Sequence, residues 1–335
     1  MSSEATKGGA KNMGRVVIQG LLDWSLEPHF RHEALGTSTE VILAGRTGSL
    51  ILPRWNPDAV DENTVSLPLV APERFLDGEV PATSHEVVWG HPVSWPSRMS
   101  QARTVLLELE LADEDDDELR RVIDEVHDAF EPWFASFNDW LGVLTAQDLV
   151  EIEPRNSSPM PGQRFSAWFR SRDGVWRQTS SWTVKLRGET RDNTSAISTH
   201  ELQRAASSAN QGLEVPDEYL LLRDARASLV RHHTRRSTLD SGPAGELVTA
   251  LAIRTEYGRR GMAASVVKKL DQKTFGGLVK LVQDDALPIW LPTDITPKLV
   301  KVRNKAAHTN TTISRAEAED ALTVAESLVK RYVAL

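Results

Sequence analysis

Between residues 15 and 186 the apolar positions fall in short runs rich in β-branched and aromatic side chains, with Gly, Pro and Asn between them. The runs 15–22, 40–43, 49–52, 86–89, 103–111, 149–153, 164–170 and 175–186 are therefore predicted strands. Leu107, Leu109 and Leu111 alternate with Glu108 and Glu110, the period of a half-buried strand. One helix interrupts this pattern: Leu119, Val122, Ile123, Val126, Phe130, Trp133, Phe134, Phe137 and Trp140 keep helical spacing. The acidic run 113–118 precedes them and suits the partly positive N-terminal end of a helix. Pro132 predicts a kink or a break.

From Pro216 the texture changes to helices with short breaks. Tyr219, Leu222, Ala225 and Leu229 mark one stripe, predicted to end near Asp240, Ser241 and Gly242. Pro243 then suits the first turn of a second helix, with Leu247, Ala250 and Leu251 inward. Val266, Val267 and Leu270 form a short third stripe. Thr274 caps a fourth, carrying Leu278, Val279 and Val282. Pro288 and Pro292 place Trp290 in a loop. Thr296 and Pro297 open a helix containing Leu299 and Val300 and running toward His308. Ser314 and Glu317 have the spacing of a capping box, and Ala318, Ala321, Leu322, Ala325, Leu328 and Val329 follow it at helical spacing. The expected class is α+β: a tail over 1–13, a β-rich α+β domain over 14–213, and an all-α antiparallel bundle over 214–335.

Composition bounds the chemistry. The chain has 335 residues, 40% hydrophobic and 26% charged, as expected of globular domains. No apolar run approaches the roughly 20 residues that span a bilayer, so no membrane association is expected. Residues 1–11 are small and polar without an apolar core, and read as a loose tail rather than a signal peptide. The absence of cysteine excludes disulfides, thiolate zinc sites and cysteine nucleophiles, and the default compartment is cytoplasmic. Charge is uneven: residues 1–214 carry 20 Lys+Arg against 33 Asp+Glu, and residues 215–335 carry 19 against 14. A mildly basic module joined to an acidic one is compatible with polyanion binding by the former.

Nine of the ten tryptophans lie in the first part. Trp168, Trp176 and Trp182, among Arg170, Arg172, Arg177, Lys185 and Arg187, can be read as a stacking surface for bases or, more simply, as aromatic core. His29 and His32 lack the partners of a metal site and read as surface residues. The first part holds no motif that names a ligand, so it is a sensor only by position.

The chemistry-bearing string is Arg303-Asn304-Lys305-Ala306-Ala307-His308, in the penultimate helix of the predicted bundle. Such a spacing also arises by chance, as Arg226 with His232 illustrates at the neighbouring interval; the weight comes from its place just before the capped last helix. Arginine, a polar residue and then histidine at this position resemble the Rx4–6H motif of the HEPN superfamily. The strings 220–227 (LLLRDARA), 240–247 (DSGPAGEL) and 274–281 (TFGGLVKL) extend the resemblance over the second part alone.

The resemblance implies a metal-independent endoribonuclease, a hydrolase with no cofactor, whose products carry 2′,3′-cyclic phosphate and 5′-hydroxyl ends. Arg303 and His308 would be the catalytic pair, with Asn304 and Glu246 supporting and Lys301 and Lys305 contacting RNA. The residue types suit that chemistry. The RNA 2′-hydroxyl supplies the nucleophile, an imidazole exchanges protons near neutral pH, and a guanidinium forks onto phosphate oxygens. On an ideal helix Arg303 and His308 point about 140° apart with about 7.5 Å of rise between them. The family's habit of facing two such helices across a dimer answers this, so a homodimer is expected. The two-part layout is similar to bacterial abortive-infection and anti-phage proteins of the ApeA family, which implies a toxin or antiviral defence effector. A trigger ligand or protein would then act at the first domain. The alternative is a non-catalytic HEPN binding or dimerisation module in a sensing regulator, with Arg303 paired to a neighbouring acid and His308 capping a helix end.

Overall fold

The computed structural model describes residues 16–23, 28–55, 69–73, 75, 89–92, 99–102, 104–111, 116–149, 163–170, 176–183 and 195–335. The predicted tail, the strand 149–153 beyond its first residue, residues 86–88, and the side chains of Trp24, Trp95, Arg172, Lys185 and Arg187 lie outside them. The architecture is mixed, an N-terminal β-sheet region followed by a C-terminal helical region. Two compact units divide it: Met1–Phe134 with Pro154–Gly188 and Ser198–Asn210, and Ala135–Glu153 with Glu189–Ile197 and Gln211–Leu335.

The first unit contains β1 (Val16–Asp23), β2 (His29–Arg31), β3 (Ser38–Leu43), β4 (Arg46–Ile51), β5 (Arg54–Trp55), β6 (Leu69–Val70), β7 (Gly90–Pro92), β8 (Met99–Ala102) and β9 (Thr104–Leu111). Helix α1 (Asp116–Thr145) begins in it, and β10 (Gln163–Arg170), β11 (Trp176–Thr183) and α2 (Thr199–Asn210) complete it. Six strands form an antiparallel sheet in the order β11-β10-β1-β9-β4-β3. Strand β9 is interior to this sheet, and Val105, Leu106, Leu107 and Leu109 are all buried, so it is covered on both faces rather than one. Glu108 is buried as well and accepts a hydrogen bond from Gln19 Nε2 on β1 at 2.8 Å. The alternation of Leu and Glu therefore marked a strand, but not a wet face. A buried carboxylate needs such a donor, because desolvation without one costs several kcal/mol.

His29 is also buried, its Nε2 lying 2.7 Å from Gln101 Nε2, which corrects its reading as a surface residue. Trp168 is buried and meets Phe75 edge-on at 5.9 Å, a core contact rather than a stacking platform. At the β3 edge, Asn210 at the end of α2 accepts from the Ile42 backbone N–H, donates to the Glu40 carbonyl, and accepts also from the Trp133 indole N–H. That satisfies backbone groups that a bare edge strand would expose. Helix α1 runs through Pro132 without a break.

The second unit is helical: α3 (Asp217–Val230), α4 (Thr234–Arg259), α5 (Ala264–Lys268), α6 (Phe275–Asp284), α7 (Lys301–His308) and α8 (Arg315–Tyr332), with a π-helical turn Ile295–Val300 leading into α7. The caps read from the sequence are present. Thr274 accepts from the Gly277 N–H, and Ser314 and Glu317 exchange both bonds of a capping box. The predicted break at 240–242 is not. Helix α3 ends ten residues earlier, where His232 takes a left-handed φ of 62°, and Asp240, Ser241, Gly242 and Pro243 all lie inside α4.

Proline inside a helix costs about 3 kcal/mol. Here the helix is held from outside, since Ser237, Thr238, Ser241, Gly242, Ala244, Gly245, Val248 and Thr249 are buried as one face. Ser241 and Thr249 hydroxyls donate back to the Ser237 and Gly245 carbonyls, leaving no polar atom of theirs stranded. Leu247 and Leu251, expected inward, are about 40% exposed, because the small residues and not the leucines face the neighbouring helices.

Candidate functional site

Two glycines of α4 set the site. A side-chain carbon at Gly242 would collide with the Arg303 Cγ and Cβ, and one at Gly245 would stand 2.8 Å from Leu299 Cδ2. Helix α7 and the turn before it thus press directly onto the α4 backbone, and the aliphatic stem of Arg303 lies across Gly242. The arginine head remains partly exposed, 3.8 Å from Glu246 Oε2, and its Nη1 donates to Asn304 Oδ1 at 3.2 Å. At 3.8 Å the Glu246 contact is an ion pair without a hydrogen bond, and both side chains keep over a quarter of their surface in solvent. Such a pair is weak, on the order of 0–1 kcal/mol, and leaves guanidinium donors free for another oxyanion.

His308 closes α7 and is exposed, with no hydrogen bond or ion pair to its ring among the described residues. No hydrogen bond joins it to Arg303, as expected for residues five apart on one helix. The chain direction just after it is held by Arg235, whose Nη1 donates to the Thr309 carbonyl at 3.0 Å. The Thr309 hydroxyl in turn donates to the Lys305 carbonyl at 2.7 Å. Lys305 is committed to Glu317 Oε1 at 2.8 Å, and chiefly this ammonium, with the Ser314 N–H and hydroxyl, holds the Glu317 carboxyl down at a pKa of about 2. Lys301 is exposed.

The structure therefore gathers Arg303, Asn304 and Glu246, leaves His308 at the open end of the same helix, and ties Lys305 to α8. Sequence reasoning missed Gly242, which makes room for the Arg303 stem, and Arg235, which anchors the segment after His308. By sequence alone Gly242 reads as part of a helix end, and an arginine in the run 234–236 carries no sign of its distant partner. Among the described residues no group of three or more His, Asp or Glu converges as a metal site, and no helix is long and apolar enough to cross a membrane.

Compared with models of known protein families, with curated proteins and with solved structures, the chain matches none.

Proposed function

We propose that the helical unit is a HEPN-type bundle acting as a metal-independent endoribonuclease, with Arg303 and His308 as its catalytic pair. The observation that carries this is the meeting of Arg303, Asn304 and Glu246 on the α4–α7 contact, with an unengaged imidazole one and a half turns along the same helix. In the reaction the 2′-oxygen–phosphorus bond forms and the phosphorus–5′-oxygen bond breaks. One imidazole accepts the 2′-hydroxyl proton and a second donates one to the departing 5′-oxygen, while the guanidinium takes up charge on the phosphoryl oxygens. Two imidazoles require two copies of α7, so the active species is a homodimer with the Arg303 and His308 of both copies at its interface. Glu246 orients Arg303, and Lys301 adds attraction for the RNA backbone. The β-rich unit senses a trigger ligand or protein, and the whole acts as a cytoplasmic toxin or anti-phage effector.

The test is RNA cleavage by purified full-length protein in the presence of EDTA. Wild type is expected to leave 2′,3′-cyclic phosphate ends, and Arg303→Ala and His308→Ala each to lose about 100-fold or more in rate. Equal residual cleavage by all three proteins overturns the proposal.

One observation favours the second reading, a non-catalytic binding module. Arg303 already has an acidic neighbour, Glu246, within its own chain. In that case Glu246→Gln would lower stability and leave every RNA readout unchanged.

A further inference from the structure

The loop between α6 and the π-helical turn alternates sharply. Ile289 and Leu291 pack against the cluster of Ile253, Tyr257, Leu270, Leu278 and Val282, while Trp290 between them is turned outward and 45% exposed. Its carbonyl accepts the Tyr332 hydroxyl at 2.9 Å, so the loop is pinned on both sides of the indole. An exposed tryptophan leaves a large apolar face in water, and here it walls an open depression of about 440 Å³ completed by Ser327, Lys330 and Arg331.

The charges around it are only partly neutralised. Glu326 is the acid within reach of Lys330, at 3.5 Å, but it is shared with Arg226 at 2.6 Å. Arg331 has no ion-pair partner among the described residues. The Ser327 hydroxyl donates to the Val324 carbonyl at 2.8 Å, which leaves its oxygen free to accept.

A rigid aromatic face beside two cations and an acceptor fits one unit of a single-stranded nucleic acid, with the base stacked on the indole and the phosphate against the cations. We infer that Trp290, Lys330 and Arg331 form a docking subsite for single-stranded RNA. It lies far from His308. Lys305, in the last turn of α7, pairs with Glu317 in the first turn of α8, and Lys330 is 13 residues further along that helix, about 20 Å away. The subsite therefore holds a strand at a distance and does not touch the bond that is cut. The ligand's identity rests on the ribonuclease reading; the geometry does not.

The experiment uses full-length protein and a fluorescent 2′-O-methyl oligouridine of about 12 nucleotides, long enough to span both places and unable to be cleaved. Binding is followed by anisotropy. Trp290→Ala is expected to weaken it about tenfold, Trp290→Phe to retain most of it, and Arg331→Ala to flatten the slope of log affinity against log salt by about 0.7, the loss of one phosphate contact. The inference is overturned if wild type does not bind, if Trp290→Ala stays within twofold of wild type, or if uridine monophosphate competes as well as the oligomer, which would make the site one for free nucleotides. Cleavage is not read, so a chain that binds here and cuts nothing sinks the nuclease proposal alone.

Discussion

Both units bury large side chains, but they differ in what lies at their closest approaches. The sheet region fills its interior with large side chains, among them Phe30, Leu43, Leu50, Leu106, Leu107 and Leu109, all fully or almost fully buried. The helical region sets its helices close through small ones: Gly242, Ala244 and Gly245 on α4, Ala306 on α7, and Ala318, Ala321 and Ala325 on α8. The first kind of core is sensitive to loss of volume and the second to its gain. In the second kind a long polar side chain can lie flat on a neighbour's backbone, as Arg303 does on Gly242. The candidate site thus depends on the packing rule of its unit as much as on its own residues.

Truncation of a large residue in the sheet region should give the largest effect. Phe30→Ala is expected to cost about 3–5 kcal/mol, read as lost amide protection across β2 and β8. A loss below about 1 kcal/mol would mean the site collapses freely and the contrast between the units is overstated.

The helical region should respond to an added methyl with opposite signs at two glycines of one helix. At Gly258 nothing stands near a new carbon, so Gly258→Ala should stabilise by roughly 0.5–1 kcal/mol through helix propensity. At Gly242 the same methyl meets the Arg303 stem, and Gly242→Ala should destabilise by about 1–3 kcal/mol and move the guanidinium off Glu246. Denaturant midpoints of the two variants shifting in the same direction would show that close packing at Gly242 does not govern α4.

The smallest expected effect is electrostatic and local. Glu317 has a folded-state pKa lowered to about 2 from an ordinary 4.5, first by Lys305. Its contribution is therefore complete above about pH 4.5 and is lost as the pH falls through the folded-state value. Protection of the amides in the first turn of α8, taken relative to their intrinsic exchange rates, should fall over that interval. In Lys305→Met the midpoint should move up toward 4.5. An unchanged midpoint would show that the Ser314 bonds alone hold the carboxylate.

Much of the element order was legible because the signals act within a turn of their own backbone. Thr274, and Ser314 with Glu317, bond to N–H groups three residues away, so spacing alone announces them. The strands around β1, β3, β4, β9 and β10 were legible for a related reason, since β-branched and aromatic runs bounded by turn residues suit a pleated surface. Helix α2 went unseen. Its sequence 199–210 is mostly Ala, Ser and polar residues, and the bonds from Asn210 reach back about 170 positions. Of the candidate site, Arg303, Asn304, Glu246 and His308 were legible as chemistry, but Gly242 and Arg235 were not.

The local pattern of the chain was enough to tell where two helices are capped, that strands precede helices, and where titratable and cationic side chains fall. Long-range packing settles the rest: Asp240 to Pro243 continue a helix, Glu108 is buried, and Arg303 lies on Gly242 beside Glu246. The reason is energetic. Local preferences are worth about 1 kcal/mol per position, and burial of a whole helix or strand face sums many such contributions and overrides them.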